Sequence, residues 1–122
     1  MNVSRIIYRI AAWVFVAWVL YQVFAAGMVA VAMQWEWTRH VVPGFYVSSP
    51  VFVMLITVYT GRLPGRMKGL TWLLFLVLSI QILVVLLRQS LPMIAALHPV
   101  LALAVFGLGL MLALRAGSIE KA

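Results

Sequence analysis

The sequence predicts an all-α fold, a polytopic membrane bundle of four helices, and three observations predict it. Of the 122 residues, 66% are hydrophobic and only 9% are charged, whereas a soluble domain carries roughly 25% charged residues. The mean hydropathy is +1.15. The apolar residues form four long, continuous stretches without the alternation of a barrel strand. We therefore expect a single membrane domain.

Each apolar stretch is close to the about 20 residues that an α-helix needs to cross a bilayer. The connections between the stretches are short, so that consecutive helices are expected to be antiparallel neighbours. The predicted spans are 6–33, 41–61, 69–87 and 93–114.

Pro50 lies within the second predicted span, where it removes a backbone hydrogen bond and frees the carbonyl near Tyr46. Ser48 and Ser49 are placed to bond freed carbonyls, as serine does in membrane helices. We expect one kinked helix from about residue 40. A partly unwound segment over 40–49, lining a cavity, is the alternative.

The basic residues are distributed unequally between the two ends of the predicted bundle. Arg39 and Arg88 flank one end, and seven basic residues flank the other. Because cytoplasmic segments carry the excess of Lys and Arg, both termini are expected in the cytoplasm. The seven are Arg5, Arg9, Arg62, Arg66, Lys68, Arg115 and Lys121.

Composition also bears on the classes of function. The nine basic residues are too few for a stripe along a nucleic acid. No Asp or Glu lies inside a predicted span, since Glu36 is in a loop and Glu120 is near the C-terminus. Carboxylate and proton-relay chemistry therefore lacks its groups, and we expect that the chain is not an enzyme by itself.

An internal repeat relates the two halves of the chain, about 1–61 and 62–122. An offset of 59 residues aligns three pairs, and one deletion aligns the only two histidines. Both halves are hairpins that enter from the same side, so a two-fold axis along the membrane normal is expected to relate them. The aligned pairs are Arg9 with Lys68, Trp13 with Trp72, Gln22 with Gln81, and His40 with His98.

The two histidines are the candidate ligands. An axis of this kind lets His40 and His98 face each other from diagonally opposed helices, where they could supply both axial ligands of one haem b. Since the chain has no Cys, the haem would be held without covalent attachment. Arg39 and Arg88 are candidate partners for the propionates. The candidate pocket residues are Gln22, Gln81, Gly44 and Ala102.

Simpler interpretations remain for these residues. The two glutamines are most simply interhelical hydrogen-bonding groups, and that interpretation is preferred. His40 is beside Arg39, where it could instead lie in the headgroup region, at a height several ångströms from that of His98.

Two other functions stay open. A copper site could combine the two histidines with Met28, Met33 and Met93, although methionine packing in a core is commoner. A cofactor-free structural subunit of a larger membrane assembly would suit the small size and short loops.

A resemblance covers most of the chain. Gln22 with Ala26-Gly27, His40 with Gly44, Gln81, and His98-Pro99 resemble the pattern of an uncharacterised family of small bacterial four-helix integral membrane proteins. This implies the fold and a location in the bacterial inner membrane. The two histidines on separate spans are more loosely similar to four-helix membrane b-type cytochromes. That similarity implies electron transfer, with redox complex subunits or quinone as partners.

Overall fold

The computed structural model describes residues 2–121, with side chains described for residues 2–119. No strand occurs in this part of the chain. The helices are α1 (Val3–Ala30), α2 (Thr38–Tyr46), α3 (Ser49–Thr60), α4 (Gly65–Leu86), α5 (Pro92–Ala95) and α6 (His98–Lys121).

Four segments are long and apolar enough to cross a membrane, and they lie where the sequence predicts them. Their ends differ from the predicted ends by one to five residues. Each segment begins earlier than predicted and the last one ends later, and at the terminal end helical hydrogen bonding continues past the apolar core into basic turns. Long basic side chains tolerate that position since their charged groups reach the interface. The segments are Val3–Ala30, Thr38–Thr60, Gly65–Leu86 and Pro92–Ile119.

The four segments pack as a ring. Helix α1 packs mainly against α3 and α6, and α4 packs against the same two helices. The α3 and α6 segments are therefore diagonal to each other, as are α1 and α4. We call the end with residues 30–40 and 87–98 the histidine end, and the end with residues 3–9, 61–68 and 115–119 the terminal end.

A buried hydrogen bond joins two diagonal helices near the terminal end. The hydroxyl groups of Tyr8 and Thr71 are 2.7 Å apart, and both side chains are fully buried. Thr71 donates its only hydroxyl proton to the Met67 carbonyl at 2.8 Å, so Tyr8 donates to Thr71. Both hydroxyls are thereby satisfied where water is absent, as buried polar groups require.

The second span is broken between α2 and α3, as Pro50 predicts. An uninterrupted helix would place an N–H of residue 50 on the Tyr46 carbonyl, and proline has none. The Ser49 hydroxyl donates to that carbonyl instead, at 2.7 Å. The expectation that a neighbouring serine covers the freed carbonyl is confirmed, and α2 remains helical rather than unwound.

Helices α1 and α6 approach closely at Gly109. A Cβ atom added there would lie 2.7 Å from Cδ1 of the Phe15 ring, and Phe15 is itself fully buried. The absence of a side chain at this position therefore lets the aromatic ring occupy the space between the helices. Gly107, two residues earlier, has nothing within 4 Å of such an atom.

We predict that Gly109→Ala destabilises the bundle, because the added methyl group overlaps a ring with no free space to enter. Overpacking of this kind costs about 1–3 kcal/mol. Chemical or thermal unfolding in detergent micelles measures the loss.

Gly107→Ala is the matched control, on the same helix but facing open space. It should leave stability unchanged or raise it by less than about 1 kcal/mol, because alanine favours a helix over glycine. Equal losses from both variants would contradict close packing at Gly109, and Phe15→Leu should partly restore the Gly109→Ala protein.

Candidate functional site

The structure brings His40 and His98 together at the histidine end. His40 is the third residue of α2 and His98 is the first residue of α6, the elements of the two diagonal segments. Their ring centroids are 6.3 Å apart, with the ring planes at 83°. The two rings therefore lie close enough for an edge-to-face contact, and the kink does not separate them.

Each imidazole is held by a backbone carbonyl of the adjacent helix in the same half of the chain. His40 Nδ1 is 2.9 Å from the carbonyl oxygen of Gln22 on α1. His98 Nδ1 is 2.8 Å from the carbonyl oxygen of Gln81 on α4. The two contacts join residues that the sequence repeat aligns.

These hydrogen bonds determine which ring nitrogen carries the proton. A carbonyl oxygen only accepts, so Nδ1 must be the donor in both rings. In a neutral imidazole Nε2 then keeps its lone pair, which is the arrangement found in most metal-binding histidines. Both side chains are half-buried. The site thus offers two oriented nitrogen lone pairs in apolar surroundings.

The glutamine side chains do not make the interhelical hydrogen bonds that the sequence analysis preferred. His40 contacts the backbone carbonyl of Gln22 and not its side chain. The side-chain atoms Nε2 and Oε1 of Gln22 are buried with no hydrogen-bond partner among the described residues. The prediction was wrong for Gln22, because its amide packs against Gly44 with no polar group of the described residues within hydrogen-bonding distance. No helical pattern distinguishes one carbonyl from another.

Gly44 and Ala102 are half-buried on the helices that carry the histidines, each four residues after its histidine. A Cβ atom on Gly44 would lie 3.4 Å from Gln22 Nε2. Gly44 therefore makes room for the Gln22 amide.

One tryptophan contacts His40, and a second contacts the neighbouring Arg39. The Trp37 ring is 5.9 Å from the imidazole in an edge-on arrangement. The guanidinium of Arg39 lies 5.0 Å from the centroid of the Trp35 ring, a cation–π distance. Arg39 and Arg88 are both exposed at this end. The positive charge here is at the rim rather than between the histidines.

The methionines of the copper hypothesis do not line the histidine pair as a group. Met33 is 82% exposed and Met93 is 87% exposed, so their thioethers face outward. Within the described residues, no three His, Cys, Asp or Glu side chains gather as a metal site. The donor atoms the structure offers are the two imidazoles.

Two apolar grooves run along the outer side of α1. One of 390 Å³ reaches Tyr21 and Pro43, and one of 270 Å³ reaches Ile7 and Val53. Neither groove is lined by a histidine, and both face the surroundings of the bundle. They suit lipid chains better than a redox centre.

We predict that both neutral histidines are Nδ1–H tautomers, because each Nδ1 faces a carbonyl that can only accept. NMR of the protein labelled with ¹⁵N at histidine, recorded in detergent or nanodiscs with both rings neutral, distinguishes the two nitrogens. A protonated Nε2 in either ring would contradict the hydrogen bonds to Gln22 and Gln81.

A protein-family model, described as "Family of unknown function (DUF6220)", matches residues 22–88 of the chain. The matched segment begins at Gln22, contains His40 and Gln81, and ends ten residues before His98. No curated protein and no solved structure matches the chain.

Proposed function

The chain belongs to DUF6220, a family of unknown function, and from its own residues we propose that it binds one haem b between His40 and His98 for electron transfer. The observation that carries this proposal is the separation of the two imidazole rings. Under this proposal the chain would be similar in design to a membrane b-type cytochrome with a single haem.

The separation agrees with two axial ligands on one metal ion. An imidazole nitrogen sits about 2 Å from a bound metal ion and about 1.1 Å from its own ring centroid. Two imidazoles on opposite sides of the ion then have centroids about 6.2 Å apart. The observed value is 6.3 Å. The Nδ1–H tautomer leaves Nε2 of each ring available, as axial ligation requires.

The hydrogen bonding, side-chain size and charge of the neighbouring residues support the haem proposal. The Gln22 and Gln81 carbonyls orient the imidazoles and increase their basicity. Gly44 and Ala102 add no bulky side chain one turn after each histidine, and the unpartnered Gln22 amide packs against Gly44. Arg39 and Arg88 would face a propionate at the exposed rim. A bound haem would supply a one-electron carrier within the membrane.

We also propose that the two halves, 1–61 and 62–122, are repeats related by a two-fold axis. Besides the matching hydrogen bonds of His40 and His98, a second pair of matching contacts near the terminal end supports this proposal. Lys68 Nζ lies 5.1 Å from the Tyr59 ring centroid, and a Cβ on Gly117 would lie 3.8 Å from Arg9 Nε. Arg9 aligns with Lys68, and Gly117 is 58 residues after Tyr59, as His98 is after His40.

We place the chain in the bacterial inner membrane with both termini in the cytoplasm. The excess of basic residues at the terminal end supports this orientation. The haem would then lie near the outer face. Partner subunits of a redox complex, or quinone, would exchange electrons there, and the exposed Trp37 ring beside His40 is the closest aromatic contact for such exchange.

Copper(I) is a second candidate, favoured by the same two imidazole lone pairs. Imidazole is a suitable ligand for copper, and the ion needs no macrocycle between the rings. Met33 and Met93 are exposed, so that the two histidines and the half-buried Met28 remain as its candidate ligands. A protein that holds neither metal would instead act as a cofactor-free structural subunit.

The decisive measurement is a visible spectrum with metal analysis of the purified protein, after expression with sufficient haem. We expect a low-spin b-type spectrum in the reduced-minus-oxidised difference and one iron per chain. His40→Ala and His98→Ala should each abolish the low-spin spectrum, because each removes one axial ligand.

Ser90→Ala is the control, since this exposed residue lies at the same end and its hydroxyl donates only to the Leu87 carbonyl. It should leave the spectrum intact. A folded wild-type protein without iron would end the haem proposal, and one copper per chain lost in both histidine variants would favour the second candidate.

A further inference from the structure

Four aromatic side chains of α3 and α4 meet along the outer side of the contact between these two helices. The indole of Trp72 donates to the Tyr59 hydroxyl oxygen at 3.0 Å. The Trp72 and Phe75 ring centroids are 5.8 Å apart, and those of Phe75 and Phe52 are 5.4 Å apart. Tyr59, Trp72 and Phe52 are each about half exposed, so the rings face the surroundings of the bundle. We call these four residues the ring seam.

The Tyr59 hydroxyl keeps its proton for a further partner. An indole N–H can only donate, so the Tyr59 oxygen is the acceptor in the contact with Trp72. The hydroxyl proton is not used in that contact, and no described residue accepts it. The phenol is thus held by Trp72 while one donor remains open at the surface of the bundle.

A cation lies beside the same phenol. Lys68 Nζ is 5.1 Å from the Tyr59 ring centroid, a cation–π distance. Helices α3 and α4 contain no Asp or Glu, so neither helix of the seam neutralises this charge. Tyr59 is the next-to-last residue of α3, and Lys68 is the fourth residue of α4. Both lie at the terminal end, at the level where a membrane-spanning helix meets the lipid headgroups.

The phosphate group of a lipid matches this pair of donors. Its unesterified oxygens share a negative charge, and they can accept from the Tyr59 hydroxyl and from the Lys68 ammonium group together. From Tyr59 to Phe52 the seam continues along α3 for about 10 Å, at 1.5 Å per residue. It therefore offers an apolar surface to an acyl chain that follows the helix. A zwitterionic headgroup fits less well, because its own cation would lie near Lys68.

The other half of the chain lacks this pair of donors. Trp13 and Arg9 align with Trp72 and Lys68, but Gly117 is at the position that corresponds to Tyr59. Without a phenol, that position supplies neither the hydroxyl donor nor a ring for the cation. The arrangement is therefore a property of one half only, and we expect one such site in each chain.

We propose that Tyr59 and Lys68 bind the phosphate group of one anionic phospholipid, whose acyl chain lies against the ring seam. Tyr59 binds the phosphate that all phospholipids share, whereas Lys68 favours a headgroup with a net negative charge. The inference does not depend on a haem, because the site is at the opposite end of the bundle from His40 and His98.

The test is native mass spectrometry of the full-length protein in detergent. The protein is titrated with phosphatidylglycerol and with phosphatidylcholine that carry the same acyl chains, and the dissociation constant of the first bound lipid is measured. Wild type is compared with Tyr59→Phe, Lys68→Gln and the matched control Arg66→Gln. Arg66 is exposed and two residues before Lys68, so its loss removes the same charge from another face of α4. Circular dichroism verifies that each variant is folded.

We expect wild type to bind phosphatidylglycerol about fivefold more tightly than phosphatidylcholine, the preference that one basic residue near the membrane surface provides. Lys68→Gln should abolish this preference. Lys68→Arg, which keeps the charge, and Arg66→Gln should retain it. Tyr59→Phe should weaken the binding of both lipids about fivefold, because it removes a hydrogen bond to a charged group but keeps the ring.

Each of four results would overturn the inference. Equal binding of the two lipids by wild type, or no binding, would show that Lys68 does not recognise headgroup charge. An equal loss of preference in Lys68→Gln and Arg66→Gln would assign it to the overall charge of this end. Unchanged lipid binding by Tyr59→Phe would exclude the hydroxyl as a phosphate donor. A lipid-free complex of two chains that Tyr59→Phe dissociates would assign the ring seam to a contact between copies.

Discussion

Backbone hydrogen bonding in an apolar medium is the constraint on which this structure depends. Lipid offers no partners, so each N–H and C=O group inside the membrane must be satisfied by the protein. Four segments meet this requirement as helices. Where Pro50 breaks the pattern, the Ser49 hydroxyl takes the place of the missing N–H. The buried Tyr8–Thr71–Met67 chain applies the same rule to side chains.

The same constraint explains how the histidine pair is ordered. An imidazole between membrane helices must place its N–H on some acceptor, and the nearest acceptors are carbonyls of the adjacent helix. Because Nδ1 of each ring donates to a carbonyl, Nε2 of each ring keeps its lone pair. The Gln22 amide is an exception to this constraint, because it is buried without a hydrogen-bond partner among the described residues.

Much of the fold follows from the sequence, because composition and the lengths of the apolar runs leave few alternatives. The kink follows from Pro50. The proximity of His40 and His98 was expected because the two residues occupy matching positions in the internal repeat. The carbonyl contacts did not follow, since every helical residue has a carbonyl and no side chain marks the one used. The buried state of the Gln22 amide depends on the clearance at Gly44, which is a tertiary property.

The break between α2 and α3 separates a weakly packed helix from one that belongs to the core. Helix α2 carries His40, yet none of its residues is buried, whereas α3 contributes Met54 and Val58 to the core. Elements with few buried contacts open at low free energy while the rest stays folded. Helix α2 can therefore be displaced at a lower free-energy cost than α3, so that motion at the histidine end need not loosen the core.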